Sequence, residues 1–506
     1  MAKKYVLSLD IGTSRVTAHI FDHNGDNVAS TTKEISHYSV KPGWFEQDPQ
    51  EIWEKLISCV TNILILGQIK PNEIASIGIT NQRETTILWN KFTGKPIHNA
   101  LMWESRQSES VANTLIEEGY SDFIHERTGL FIDPYFSATK IVWLLNHDPE
   151  LGQKLYRDDL LFGTLDSWIV WKLTSGKIHV TDYTNASRTM LFNINTLSWD
   201  TDILKLLNIP EKMLPEVHSN SEVYAYTAKD AFFGAEIPIA GIAGDQQAAM
   251  IGQLALNKGD VSGTYGTGAF IMLNTGQSIK KSENRLITTI AYGIGDTVSY
   301  AIEGSIFVAG SAIQWLKTGL KLIKSTSEAG KLAMMSTDDQ EMYVVPAFTG
   351  LSAPYWNSAA KAASFGMTQA TTNYDFIRAT LESVAYQTSD VVNLMNSETS
   401  IDINQMMING EFSRIDYLDQ FQADILNLDL RRSQVTDADA LGVAFLAGIA
   451  VGFWKDFDEI NELVHPDATF YPNISDKKRQ SLYDGWKDAV WATQEFSKHH
   501  SRNMNS

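Results

Sequence analysis

A strand–turn–strand pattern with a Gly-Thr turn occurs twice in this chain, once in each half. Near the amino terminus, the apolar run Tyr5–Leu9 leads into Asp10-Ile11-Gly12-Thr13, and a second strand follows at Thr17–Asp22. In the second half, Val261–Leu273 has the same form around Thr264-Tyr265-Gly266-Thr267. Helix and strand patterns alternate between these segments, starting with a predicted helix at Ile52–Leu66, and this alternation is typical of an α/β protein. The recurrence predicts two copies of one α/β design that face each other across a central cleft, where ligands commonly bind.

The length of the chain also indicates more than one domain. At 506 residues it is too long for one ordinary core, and two domains are expected. The strand–glycine–helix segment Gly241–Ala249 is the best boundary. We therefore predict an N-terminal domain at residues 1–251 and a C-terminal domain at residues 252–506.

Composition excludes several classes of protein. The net charge is −19, from 41 basic and 60 acidic residues, which argues against a nucleic-acid or anionic-membrane partner. Cys59 is the single cysteine, so a disulfide framework is excluded and a cytoplasmic location is expected. The first apolar run ends at Asp10, too early for a signal peptide. The longest apolar stretch, Leu441–Trp454, is 14 residues, shorter than the ~20 needed to span a bilayer.

A polar segment interrupts an apolar run in the first half. Within Ile77–Trp89, apolar residues bracket Asn81–Glu84. One interpretation is a solvated turn between two strands, although no glycine or proline marks such a turn. The other is a buried site, because an unpaired buried charge is costly unless a ligand or fixed partner satisfies it. The guanidinium of Arg83 beside the carboxylate of Glu84 offers donors and acceptors together, which suits a polyol or sugar.

The Gly-Thr turns have the chemistry of a phosphate site. Gly12 and Gly266 allow close approach of the backbone, and successive amides bind an anion. A threonine hydroxyl adds a donor, and Asp10 is placed to hold the Mg²⁺ that accompanies a nucleotide. One such hairpin alone would be read as an ordinary turn, whereas two related hairpins favour a nucleotide. No Gly-Lys pair precedes Ser or Thr, and no His-Arg-Asp loop occurs, so P-loop enzymes and protein kinases are excluded.

A second polar segment follows Gly244 at Asp245-Gln246-Gln247. A carboxylate at the start of a helix is stabilised as an anion by the helix dipole. In a cleft, it can take the proton of a hydroxyl that attacks phosphorus. An ordinary helix-capping Asp is the alternative.

Together these segments resemble the FGGY family of carbohydrate kinases, within the actin/Hsp70/hexokinase ATPase superfamily, and among them the kinases that act on glycerol. The resemblance covers nearly the full length. It rests on the segments Pro42-Gly43-Trp44, Asp48-Pro49, Gly78–Thr86, Thr128–Leu130, Asp133–Ser137, Val180–Leu191, Gly241–Ala249, Thr264–Gly268, Ala309–Leu316 and Val344–Trp356. It implies two duplicated actin-like (ribonuclease H-like) domains, ATP-dependent phosphorylation of glycerol to sn-glycerol 3-phosphate, and a homodimer or homotetramer.

The resemblance also implies roles for individual residues. Asp245 is the implied general base, and Asp10 lies near Mg²⁺. The implied polyol contacts are Arg83, Glu84, Tyr135, Asp245 and Gln246, with Trp103 and Phe270 packing on the carbon face. The implied ATP contacts are Gly12, Thr13, Ser14, Gly266, Thr267, Gly310, Gln314 and Gly410.

The chain departs from the family at its nucleotide segments. Thr17 stands where the family has an arginine that reaches the phosphates, Glu411 where it has a glycine, and Ile415 where it has an asparagine. Two alternatives to a glycerol kinase therefore stay open: a catalytically weak or inactive paralogue that binds glycerol as a sensor or regulator, and a kinase of another small polyol. Ala231 stands where some members carry a histidine phosphorylated by the sugar phosphotransferase system, and this switch is predicted to be absent.

Overall fold

The computed structural model describes residues 3–147, 159–337 and 341–504. The strands of the first half are β1 (Tyr5–Ile11), β2 (Arg15–Phe21), β3 (Asn27–Glu34), β4 (Tyr38–Lys41), β5 (Trp44–Gln47), β6 (Ile74–Asn81), β7 (Ile87–Asn90), β8 (Ala100–Leu101), β9 (Leu160–Gly163), β10 (Val180–Asp182), β11 (Phe192–Asn193), β12 (Ser198–Trp199), β13 (Glu216–His218), β14 (Ser221–Tyr226) and β15 (Pro238–Gly244). Those of the second half are β16 (Asp260–Tyr265), β17 (Ala269–Gly276), β18 (Ile287–Ile294), β19 (Thr297–Ile306), β20 (Tyr343–Val345), β21 (Ala363–Phe365), β22 (Gln405–Asn409), β23 (Leu430–Arg432) and β24 (Ala468–Phe470).

Helices pack on both sides of this framework. Those of the first half are α1 (Pro49–Leu66), α2 (Glu109–Glu117), α3 (Ser121–Thr128), α4 (Ser137–His147), α5 (Leu165–Leu173), α6 (Tyr183–Ala186), α7 (Thr201–Leu206) and α8 (Asp245–Gly252). Those of the second half are α9 (Gly310–Thr318), α10 (Thr326–Ala333), α11 (Asn373–Thr399), α12 (Asp416–Leu426), α13 (Ala438–Ala450), α14 (Phe457–Leu463) and α15 (Asp476–Met504). Short 3₁₀ segments lie at Pro71–Glu73, Glu211–Met213 and Glu411–Ser413.

The two large sheets share one pairing pattern. The first has the order β14-β15-β6-β1-β2-β3, and the second β18-β19-β17-β16-β22-β23-β24. In the first, β1 pairs antiparallel with β2 and parallel with β6. In the second, β16 pairs antiparallel with β17 and parallel with β22. The predicted α/β class and duplicated design are thus confirmed, and each sheet has its own large apolar core.

Helix α13 belongs to the second half but packs on the first sheet. A Cβ at its Gly442 would lie 1.9 Å from the carbonyl oxygen of Ala248 in α8, so the two helices touch backbone to backbone. Three serines of the first sheet hydrogen-bond to main-chain carbonyls of α13: Ser8 to Ala440, Ser76 to Ala447 and Ser221 to Leu446. The predicted boundary at residues 251 and 252 falls at the end of α8, and it stays a prediction.

Within residues 3–147, 159–337 and 341–504, no helix combines the length and the apolar character that a membrane span requires.

Candidate active site

The candidate site forms where three parallel strands of the first sheet end. Ile11 of β1 lies beside Asn81 of β6, and Asn81 lies beside Gly244 of β15. Asp10, the segment Asn81–Glu84 and Asp245 therefore emerge at one edge of the sheet. The carboxyl ends of parallel strands are the usual place for a ligand in α/β proteins.

The segment Asn81–Glu84 is buried, with exposed fractions of 0% for Asn81, 1% for Gln82, 3% for Arg83 and 1% for Glu84. The predicted burial of this polar segment is thus confirmed, and the solvated turn is wrong. Side chains from other elements accept from its amide nitrogens, because Asn81 donates to Asn185 at 3.0 Å and Gln82 to Gln47 at 2.7 Å, whereas the oxygen of Gln82 is buried without a hydrogen-bond partner. Glu84 has a φ of 62°, a strained conformation that is commonest at functional sites.

Two arginines and three carboxylates form an ionic chain that is buried except at Asp245, whose side chain is 29% exposed. Arg83 contacts Asp245 through Nε at 3.1 Å and Glu303 through Nη1 at 2.5 Å. Arg188 contacts the same Glu303 through Nη2 at 3.0 Å and Glu84 through Nε at 2.5 Å. Glu303 lies on β19 of the second sheet, whereas the other four residues belong to the first half. This ionic chain therefore links the two halves of the protein at the predicted polyol site.

Three aromatic side chains lie beside this ionic chain. The rings of Trp103 and Tyr135 meet edge to face with centroids 5.8 Å apart. Phe270, on β17 of the second sheet, lies 5.8 Å from the guanidinium of Arg83. Trp103 also donates through Nε1 to the hydroxyl of Thr13 at 3.1 Å, which connects the residues predicted to hold the polyol to the first hairpin predicted to hold phosphate.

Asp245 begins helix α8, after Gly244. Its own carboxylate accepts the backbone N–H of Gln246 at 2.7 Å. Burial raises the pKa of Asp245 to about 6, against the lowering effect of Arg83. At neutral pH the group is therefore ionised yet basic enough to accept a proton, which suits a general base.

Asp10 lies among further carboxylates. Burial, together with Asp439 and Asp437, raises the pKa of Asp10 well above its usual value. Burial, Asp437 and Asp245 likewise raise the pKa of Asp439 to about 7. Asp437 and Asp439 come from the start of α13 and are not among the residues predicted from the sequence. In the part of the chain that the structure describes, no group of three or more His, Cys, Asp or Glu side chains is arranged as a metal cage.

The predicted phosphate residues fall into two groups. Gly12 donates its backbone N–H to Arg15 at 3.0 Å and closes the hairpin that carries Thr13 and Ser14. In the second sheet, a Cβ at Gly310 would lie 2.5 Å from the carbonyl of Gly266. One at Gly410, whose φ is 102°, would lie 2.4 Å from the carbonyl of Tyr265, so these segments meet backbone to backbone. Thr267 in the hairpin and Gln314 on α9 are exposed.

The three departures from the family pattern have different settings. Thr17 is buried, lies opposite Asp10 in the β1–β2 pairing and shares a hydrogen bond of 3.1 Å with Thr32. Glu411 is exposed in the 3₁₀ segment that follows Gly410. Ile415 is 4% exposed and packs in the core of the second half.

Arg188 and Glu303 are also not among the residues predicted from the sequence. The sequence signal that could have identified such a residue is the one that identified Arg83, namely a charged residue inside an apolar run. Glu303 stands in such a run on β19. The pairing itself is invisible in sequence, because Arg188 and Glu303 are 115 residues apart.

Models of known families match both halves of the chain. Residues 5–252 match the N-terminal domain of the FGGY family of carbohydrate kinases, and residues 261–451 match its C-terminal domain. A glycerol kinase of Lactobacillus acidophilus is 56% identical over 98% of this chain and 99% of that relative. One of Ligilactobacillus salivarius is 53% identical over the full length of both.

Solved structures agree with this assignment. The crystal structure of Plasmodium falciparum glycerol kinase with ADP superposes with a TM-score of 0.90 and 36% identity, covering 97% of this chain and 98% of that one. A gluconate kinase of Lactobacillus acidophilus, at 22% identity and a TM-score of 0.84 over 97% of this chain and 98% of that one, shares the fold. The chain belongs to the FGGY family of carbohydrate kinases.

Proposed function

We propose that this protein transfers the γ-phosphoryl group of ATP to a terminal hydroxyl of glycerol and forms sn-glycerol 3-phosphate. The observation that carries the proposal is the meeting of the buried Arg83 and Glu84 with the partly exposed Asp245 at one edge of the first sheet, with Asp245 at the start of a helix. The curated glycerol kinases at 52–56% identity over nearly the full chain support it.

The polyol is held by alternating polar and apolar groups. The guanidinium of Arg83 donates to hydroxyl oxygens, whereas the carboxylates of Glu84 and Asp245 accept from hydroxyl protons. Tyr135 and Gln246 add further hydrogen bonds. Trp103 and Phe270 cover the carbon chain. A site built to hydrogen-bond each hydroxyl rejects compounds that lack one, since buried polar groups would then be left unpaired.

Asp245 serves as the general base. Its carboxylate takes the proton of the terminal hydroxyl as that oxygen bonds to the γ-phosphorus, and the bond from phosphorus to the β–γ bridging oxygen breaks to release ADP. The amides around Gly12 and Gly266, with Thr13, Ser14 and Thr267, hold the phosphates. Gly310, Gln314 and Gly410 lie along the rest of the nucleotide.

The carboxylates near Asp10 fit a hard divalent cation. Carboxylate oxygens are the ligands that Mg²⁺ prefers. Burial, followed by repulsion from Asp439 and Asp437, raises the pKa of Asp10, and a bound cation would oppose both effects by stabilising the anion. Asp10 would hold Mg²⁺, which when bound neutralises charge on the phosphates.

The test is steady-state formation of glycerol 3-phosphate and ADP by the purified protein, with Asp245→Asn as the control. Turnover that is lost in the variant supports the proposal. Absence of turnover at saturating Mg-ATP, with glycerol still bound, would instead favour a glycerol sensor. If a panel of polyols shows that another polyol is preferred, that polyol would replace glycerol as the proposed substrate.

We also propose that the enzyme is cytoplasmic, that its two domains span residues 1–251 and 252–506, and that it forms a homodimer or homotetramer. We further propose that it lacks the phosphotransferase-system switch, because Ala231 replaces the histidine. Light scattering of the purified protein tests the oligomer. Incubation with the phosphorylated carrier protein of that system tests the switch, and incorporation of phosphate near Ala231 would refute it.

A further inference from the structure

Arg188 is the most deeply buried charged group at the candidate site. Its side chain is 0% exposed and follows the short helix α6. Two of its three nitrogens are paired, Nε with Glu84 and Nη2 with Glu303. The third, Nη1, is buried without a hydrogen-bond partner. An unsatisfied buried donor is rare and calls for a reason, of which a ligand is one.

The position of Arg188 makes it the centre of the ionic chain. It is paired directly with Glu84, which is one of the implied polyol contacts. It is linked indirectly to Arg83, a second implied contact, because the carboxylate of Glu303 binds Arg188 through Oε1 and Arg83 through Oε2. The guanidinium also lies 5.7 Å from the ring of Tyr135, a third implied contact.

We propose that Arg188 is a positioning residue for the polyol, and that Glu303 carries its effect from the second sheet to Arg83. The inference rests on the proposed function, since the groups it orients are the polyol contacts. Arg188 fixes the carboxylate of Glu84, whose backbone is held at a φ of 62°. Glu303 holds the guanidinium group of Arg83 in place against Asp245. Neither residue is assigned a part in proton or phosphoryl transfer.

Electrostatics agree with this arrangement. Burial alone would raise the pKa of Glu303, but Arg188 and Arg83 outweigh burial and hold that pKa below its usual value. Removing Arg188 takes away one arginine partner from the buried carboxylates of Glu84 and Glu303. Truncating one partner of a buried charge pair is costly chiefly because the other charge is left unpaired. The polyol contacts are therefore expected to lose their orientation.

The experiment compares Arg188→Gln and Arg188→Lys with the full-length protein. Glycerol binding is measured by calorimetry without nucleotide, and steady-state kinetics give KM for glycerol, KM for ATP and kcat. Arg127→Gln is the matched control, because it removes the same group from an ion pair with Asp200 that is partly exposed and outside the site. Thermal unfolding checks that each variant is folded.

We expect Arg188→Gln to weaken glycerol binding about tenfold or more, with KM for ATP within about twofold of the parent. Arg188→Lys keeps the charge but not the fork, so it should restore part of the affinity. If Arg188→Gln does not fold, the isosteric Glu303→Gln should show the same selective loss. Glycerol affinity unchanged in folded variants overturns the inference and leaves the proposed function intact. A parent protein that neither binds nor phosphorylates glycerol overturns both.

Discussion

Asp245 is the proposed general base, so we expect its ionisation to set the pH range of turnover. Its pKa is raised to about 6, and the protonated carboxyl cannot act as a base. We expect kcat/KM for glycerol to fall about tenfold per pH unit below pH ~6 and to be level above pH ~7. Asp245→Asn should lower kcat by about 10²–10⁴-fold. A rate that does not change between pH 5 and 7 would contradict this role.

Lys140 is expected to make the free energy of unfolding, rather than the reaction rate, depend on pH. Its buried ammonium donates to the carbonyl of Tyr135, and burial lowers its pKa from 10.5 to about 7. Between these values the unfolded chain holds a proton that the folded protein has released, so stability rises with pH. Relative to Lys140→Met, the parent should gain at most about 1.4 kcal/mol per pH unit in that window. Chemical unfolding from pH 7 to 9.5 measures the difference, and a constant difference would refute it.

Glu411 is the departure from the family that is simplest to reverse. It is exposed and directly follows Gly410, so its charge faces solvent near the implied nucleotide site. Like charges near phosphates repel by about 1 kcal/mol when solvated. Glu411→Gly should therefore lower KM for ATP by a few fold and leave KM for glycerol unchanged. An unchanged KM for ATP would place Glu411 away from the phosphates.

The sequence identified three of the five members of the ionic chain, Arg83, Glu84 and Asp245, and missed Arg188 and Glu303. Arg83 and Glu84 stand side by side, so their polar pair is visible in one segment of sequence. Arg188 and Glu303 become partners only through folding, and Glu303 arrives from the other sheet. Their link depends on how the turn that carries Arg188 docks against the strand that carries Glu303, which local sequence pattern does not encode.

Secondary-structure elements followed the sequence closely where their signals are local. The predicted strand Tyr5–Leu9 is observed as Tyr5–Ile11, and the predicted helix Ile52–Leu66 as Pro49–Leu66. The helix begins earlier because Asp48 accepts the N–H of Gln50 at 2.8 Å and proline occupies the first helical position. Helix α13 was foreseen only as an apolar stretch, because its packing partner is a sheet whose last strand ends at Gly244, far earlier in the sequence.

The pair of helices α8 and α13 gives a prediction at the element scale. Gly442→Ala should stabilise an isolated helix by about 1 kcal/mol, since alanine is the better helix former. In this protein the new methyl would lie 1.9 Å from the carbonyl of Ala248, so the helices must separate. We expect a net loss of about 1–3 kcal/mol or more in the free energy of unfolding. Urea unfolding of the variant decides it, and a gain in stability would show that the contact is loose.

At the scale of the whole molecule, the two halves should unfold together. Glu303 and α13 both tie the second half to the first. Ligand at one hundred times its Kd stabilises the native state by about 2.7 kcal/mol. With glycerol, calorimetry should show one transition moving to higher temperature as a unit. Two transitions, of which only one moves, would mean that the halves are independent.

The docking of α13 on the first sheet also has a consequence for biosynthesis. Residues 438–450 cover a face of a sheet whose own strands end at residue 244. During translation, that face stays bare until nearly the whole chain has left the ribosome. We therefore expect the nascent first half to be an incomplete folding unit with exposed apolar surface. Chains that terminate before residue 438 should accumulate as insoluble material.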